Sequence, residues 1–177
     1  MIRDIVVYPD KRLKQVSKEV EVFDGELHRL LDDMYDTMVA KNGVGLASIQ
    51  IAEAKRVLII NLPITIEDED SGRHDQPKEN TIEMINPVII RKEGASIHQE
   101  GCLSVPSFYE DIERYKLVEI EFFNRYGEKQ TIKNDEFLAV AIQHEMEHLD
   151  GKLFIEKLSY IKRKKFEKEW KKRQKDR

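Results

Sequence analysis

Residues His144-Glu145-Met146-Glu147-His148 form a His-Glu-x-x-His run. On a helix, the i, i+4 spacing lays both imidazoles over one side, within reach of a single ion. Glu145 sits beside them but is offset, so it can reach a water on that ion without being a ligand. The chemistry this suits is hydrolysis by a metal-activated water. The helical pattern runs from Asn134 to Asp150, with Asn134 as N-cap, Asp135 and Glu136 in the first turn, and Gly151 just past the end. With His144 at the origin of a helical wheel, His148 falls at about 40° and Glu145 at about 100°. Phe137, Val140 and Ala141 share the histidine face. Leu138, Ala139, Ile142, Met146 and Leu149 carry the apolar surface most of the way round, and Glu136, Gln143, Glu147 and Asp150 form a narrow polar strip. Such a helix is buried, and buried ionisable groups need a partner. A divalent ion held by both imidazoles would supply one.

Catalytic sites of this kind take three protein ligands and leave one position open. No histidine follows His148. Upstream, the lone cysteine Cys102 lies in Glu100-Gly101-Cys102-Leu103-Ser104-Val105-Pro106. Gly101 permits close backbone approach and Pro106 marks a rigid turn. A buried structural thiol is the plain alternative for Cys102, and His98 is an alternative third ligand. His28, on a surface helix, and His74, in a polar segment, are weaker candidates. A glycine-rich stretch, Gly43-Val44-Gly45-Leu46-Ala47-Ser48-Ile49-Gln50, suits a strained turn or a backbone lying against a ligand. A helix C-cap followed by a strand explains it equally. It lacks the third glycine and the preceding strand of a dinucleotide loop.

The elements that must position these groups follow from periodicity. Leu27, Leu30, Leu31, Met34, Met38 and Val39 predict an amphipathic helix over 25–41, stopped by Asn42-Gly43 with Gly43 in the left-handed conformation. Val57–Asn61 reads as a buried strand. Residues 67–80 read as a solvated, mobile loop. Met84–Ile90 reads as a strand whose Pro87 places it at an edge or a bulge. Leu117–Phe123, a turn at 125–128 and Gln130–Lys133 read as a hairpin. A last helix fits about 156–174. The class is α+β with mostly antiparallel sheet.

Composition excludes several functions. The chain has 177 residues, 40% of them apolar, which suits one domain with a real core. No apolar run reaches the length of a membrane span. The N-terminus lacks an apolar leader segment, and a single cysteine fits a reducing, cytoplasmic setting. The net charge of -4 hides a split: residues 162–177 hold ten Lys/Arg against three Asp/Glu, and the remainder twenty against thirty-one. The acidic body argues against a nucleic-acid grip by the main domain.

Gly43–Gln50, Glu100–Ser104 and Gln143–His148 together resemble the three signature motifs of the peptide deformylase family, and the similarity runs from Tyr8-Pro9-Asp10 to Leu149-Asp150-Gly151. Ser48 stands where the family usually has Ala, and Glu147 where it usually has Asp. The acidic segment 67–80 looks like an insertion. The resemblance implies antiparallel sheets around a central metal-binding helix, with residues 1–161 as one catalytic domain and 162–177 as its basic helical tail. It implies a divalent metal on Cys102, His144 and His148, with Fe(II) as the physiological ion and Zn, Ni or Co forms possible. A metal-bound water would attack the formyl group of an N-formylmethionyl nascent peptide and release formate. Glu145 would act as general base and then acid. Gln50 and the Leu103 N–H would form the oxyanion hole, with Gly45 close to the substrate carbonyl. Val44, Val140 and Ala141, with Gly45 and Glu100, are expected to contact substrate. The peptide beyond Met is expected to pair along the edge at Gly43–Gly45.

Two rivals remain at this level. A metalloprotease would place a third His or Glu downstream of the motif, and a non-catalytic metal binder would have no need of Glu145 or Gln50. The tail is either a solvated helix or, by the same resemblance, a tether to the ribosome near the exit tunnel. As a tether it would be removable without loss of activity on free peptides. A monomer is expected.

Overall fold

A computed structural model gives the fold and describes residues 1–65 and 74–176. Helix α1 (Gly25–Ala40) starts where the Asp24 side chain accepts from the Leu27 N–H at 3.1 Å. Its buried stripe is Leu27, Leu30, Leu31, Met34 and Met38, as the spacing predicts. Its end differs from expectation. Asn42, with φ of 57°, takes the left-handed position. Gly43 instead makes room, since a Cβ there would lie 2.8 Å from Leu103 Cδ1.

Strands β1 (Gly45–Ala47) and β2 (Val57–Ile60) open a five-stranded antiparallel sheet. Two short strands, β3 (Ile64–Thr65) and β4 (His74–Asp75), pair beside it. Then come β5 (Ile82–Glu93), the hairpin β6 (Ser96–Cys102) and β7 (Val105–Arg114), and the hairpin β8 (Leu117–Phe123) and β9 (Lys129–Asn134). The sheet order is β1-β2-β5-β8-β9. β5 is therefore central, and Pro87 is tolerated because it falls where the β5–β8 register slips between Ile85 and Val88. Asn86, at φ 52°, completes that bulge, and its amide bonds the Val20 N–H and C=O at 2.8 and 2.9 Å.

Residues 74–80, the described part of the 67–80 segment, are more structured than its composition predicts. Residues 66–73 lie outside the described part of the chain. Gln76 is pinned, however, and its amide donates to the Gly43 and Asn61 carbonyls at 2.8 Å each.

All four residues of β2 are buried because both faces of the sheet are covered. Leu58 and Ile60 face helix α2 (Phe137–Leu149) through Ala139, Ala141, Ile142 and Leu149. Val57 and Ile59 face α1. A third cluster joins Val105 and Ile112 of β7 to Leu153, Phe154, Ile155 and Phe166. The observed class is the expected one: α+β, with antiparallel sheets around a buried central helix.

Helix α2 begins at Phe137, two residues later than predicted. Asn134 still caps it from a distance, accepting from the Glu136 and Ala139 N–H groups at 2.8 and 3.0 Å. The last helix, α3 (Tyr160–Lys175), follows a short 3-10 turn at Phe154–Lys157 and takes Ser159 as N-cap. It packs on the third cluster through Phe166 and Trp170. Phe166 is buried, whereas Ile161 is 80% exposed. The Phe166 ring lies 4.5 Å from that of Phe108 and 5.4 Å from that of Tyr8. A cut at residue 162 would take Phe166 out of the core, so the tail is not a freely removable tether.

Candidate metal centre

Helix α2 brings His144 and His148 to one side, their ring centroids 5.2 Å apart. β6 delivers Cys102 against them, with Sγ 3.4 Å from His148 Nε2. Ligand atoms of Cys102, His144 and His148 all lie within 4.8 Å of one another. His98, the alternative third ligand, is not in this cluster; it pairs opposite Ile112 along the hairpin.

The imidazoles are oriented from behind. His144 Nδ1 donates to Glu100 Oε1 at 2.9 Å, which leaves Nε2 for an ion. Glu100 in turn takes Arg114 Nη2 on Oε1 at 2.7 Å and Arg114 Nε on Oε2 at 2.8 Å. Both its carboxylate oxygens are thus engaged, so its side chain supports His144 where the sequence reading had it contacting substrate. Arg114 reaches on to Glu147 at 2.6 Å. The middle of the polar strip of α2 is accordingly covered: Gln143 donates to the Tyr115 carbonyl at 2.8 Å and accepts from its N–H at 3.0 Å. Phe154 lies against His144, with centroids 5.7 Å apart.

Burial favours neutral His144, but bonds to Cys102 and Glu100 outweigh it and raise its pKa well above the ordinary histidine value. Burial and the neighbouring His144 charge push His148 well below that value. Burial tends to raise the Glu100 pKa, and Arg114 and His144 override it and hold it low. Glu145 lies deep, and desolvation pushes its carboxyl up to about 7. Its Oε2 is buried without a partner among the described residues. A thiolate and two imidazole nitrogens suit a divalent transition metal. The converging donors and the spare carboxylate oxygen beside them fit such an ion.

A cavity of about 380 Å³ opens onto this centre. Cys102, His144, Glu145, Gln50, Leu103, Glu100, Val44, Gly45, Val140 and Ala141 all line it, while His148 lies beneath. Gly45 has a steric reason. A Cβ there would sit 2.9 Å from Glu145 Oε1. Gln50 is held by the Ala47 N–H on its Oε1 at 2.9 Å. Its Nε2 donates to Ser104 Oγ at 3.1 Å and to Cys102 Sγ at 3.5 Å.

A family model for polypeptide deformylase matches residues 2–164. The chain belongs to that family. Peptide deformylases remove the N-formyl group from nascent peptides. The Nautilia profundicola peptide deformylase is 52% identical over 171 residues, covering 97% of this chain and 94% of the relative. That of Wolinella succinogenes is 53% identical over 170 residues, with 96% of each chain covered. Among solved structures, a peptide deformylase from Legionella pneumophila superimposes with a TM-score of 0.85 at 36% identity, over 100% of this chain and 99% of that one. The Ehrlichia chaffeensis enzyme in complex with actinonin gives 0.85 at 36%, over 97% of each chain. Two members of the Cys102–His144–His148 cluster sit on the predicted helix.

Sequence reasoning missed Arg114, Phe154 and the cavity wall at Ser107–Tyr109. None of them belongs to a short motif. Arg114 and the wall reach the site on the β6–β7 hairpin, whose alternation a bulge interrupts, and Phe154 comes from the 3-10 turn after α2. Ser48, the departure in the first motif, is fully buried, with Oγ 2.8 Å from the Glu53 carbonyl and 2.6 Å from that of Lys55.

Proposed function

We propose that this chain hydrolyses the N-formyl group of formylmethionyl peptides at the Cys102–His144–His148 centre. The observation that carries it is Glu145, a buried carboxylate with a free oxygen beside three converging metal ligands. A divalent ion held by Cys102, His144 and His148, Fe(II) by preference, would polarise the formyl oxygen and acidify water. Glu145, already near neutral pKa, takes the nucleophile's proton and returns it to the leaving amine. Gln50 Nε2 and the Leu103 N–H donate to the developing oxyanion, one such donor contributing about 2.7–4 kcal/mol. Gln50 Nε2 would then exchange its 3.5 Å contact to Cys102 for the substrate. Glu100 and Arg114 hold the His144 ring.

Val44, Val140 and Ala141 form an apolar wall for the unbranched methionine side chain. Among the described residues β1 pairs only with β2, so its outer edge can take the peptide backbone as an added strand. Main-chain pairing would tolerate varied nascent sequences. On α3, Phe166 faces the core while Lys164, Lys165, Lys168 and Lys171 face outward. That basic face would draw the enzyme to ribosomal RNA in the cytoplasm. Replacing those four lysines with Gln should weaken ribosome binding at low salt and spare hydrolysis of free peptide; unchanged binding refutes the tether.

The central test is an anaerobic assay of formyl-Met-Ala-Ser with metal analysis of the same sample. Glu145→Ala should lose formate release at least about 100-fold with its metal retained. Equal activity would overturn the assignment.

A further inference from the structure

The β6–β7 hairpin is irregular where it meets the cavity. Glu100 pairs with Glu110 and Cys102 with Val105, so residues 106–109 stand opposite Gly101 alone. This bulge forms one wall of the cavity: Pro106, Ser107, Phe108 and Tyr109 all line it. No ladder pairing holds these four residues. Ser107 adopts φ 60°, a left-handed conformation unusual for a residue with a side chain.

Helix α3 supplies what the ladder does not. Arg173 Nη1 donates to the Pro106 and Ser107 carbonyls at 3.3 and 3.2 Å, and its Nη2 donates to the Ser107 carbonyl at 3.2 Å. The planar guanidinium presents two nitrogens in one fixed plane to successive carbonyls, a geometry that the single ammonium of a lysine does not reproduce. Beneath it, Phe166 packs on Phe108 from the side away from the cavity.

We propose that Arg173 is a positioning residue for substrate: it fixes the 106–109 wall against which the formyl peptide lies. The basic helix is thereby part of the pocket as well as a charged surface. Its contribution is to binding, since the carboxylate and metal ligands are held by other contacts.

Where formate release is the readout, the inference rests on the hydrolase reading above. Arg173→Met should raise KM for formyl-Met-Ala-Ser about five-fold with kcat within about two-fold. Arg173→Lys should fall between. Lys162→Met removes another α3 tie, to Glu110 at 2.9 Å, at a residue outside the cavity lining. It should leave KM unchanged. Melting temperatures of all three should match the parent, because both side chains are on the surface. An unchanged KM in Arg173→Met, or an equal rise in Lys162→Met, overturns the proposal. If the parent releases no formate, the hydrolase reading fails on its own. Calorimetric binding of Met-Ala-Ser then decides the wall, and Arg173→Met should weaken it by the same factor.

Discussion

His144 Nδ1 donates to Glu100 Oε1 across 2.9 Å, and this bond ties the metal-holding helix to the β6–β7 hairpin. The hairpin also carries Cys102. One carboxylate therefore sets the angle of one ligand from the strand that provides another. Arg114, whose side chain is only 1% exposed, balances its charge.

Glu100→Gln should weaken metal binding about 10- to 100-fold, the usual effect of losing such a support. Competition against a chelator measures it. An affinity equal to the parent's would show that Cys102 and His148 orient the centre without Glu100.

Gly45→Ala should leave metal content intact and lower kcat about 100-fold. The added methyl displaces the Glu145 carboxylate, and displacement by an ångström costs that much. Metal analysis beside steady-state kinetics separates the two effects.

Val140→Trp should fill the methionine wall and raise KM for formyl-Met peptides about ten-fold or more, a loss of about 1.4 kcal/mol. A KM equal to the parent's would remove Val140 from the pocket.

Phe166→Ala should cost about 3–5 kcal/mol, as for other buried aromatics. In a chain of this size that is a fall of about 6–20 °C in Tm. Ile161→Ala, on the same helix but exposed, should leave Tm unchanged within a degree or so. Differential scanning calorimetry checks both.

The chemistry-bearing helix was legible because its histidines, glutamate and apolar residues repeat with a single period. The long strands were legible for the same reason. Boundaries were less so. Asn134 reads as an N-cap and does cap α2, but from outside the helix, because β9 holds it until that point. Asn42 takes the left-handed position expected of Gly43, and Gly43 instead leaves space for Leu103. The 106–109 wall was illegible for a different reason. Four residues against one break the alternation that marks a strand, and only the paired hairpin gives them a common purpose. Arg114, far from any motif, is placed by tertiary pairing alone.

Two parts of the site differ in how they are anchored. His144, Glu145 and His148 ride on a helix with the five-stranded sheet on one side and the β6–β7 hairpin on the other. Pro106–Tyr109 are held from the other side, by Arg173 on their carbonyls and by Phe108 against Phe166. The reacting groups and the wall beside them thus take their positions from different helices, so a change in α3 can alter how well a peptide binds while the centre keeps its spacing.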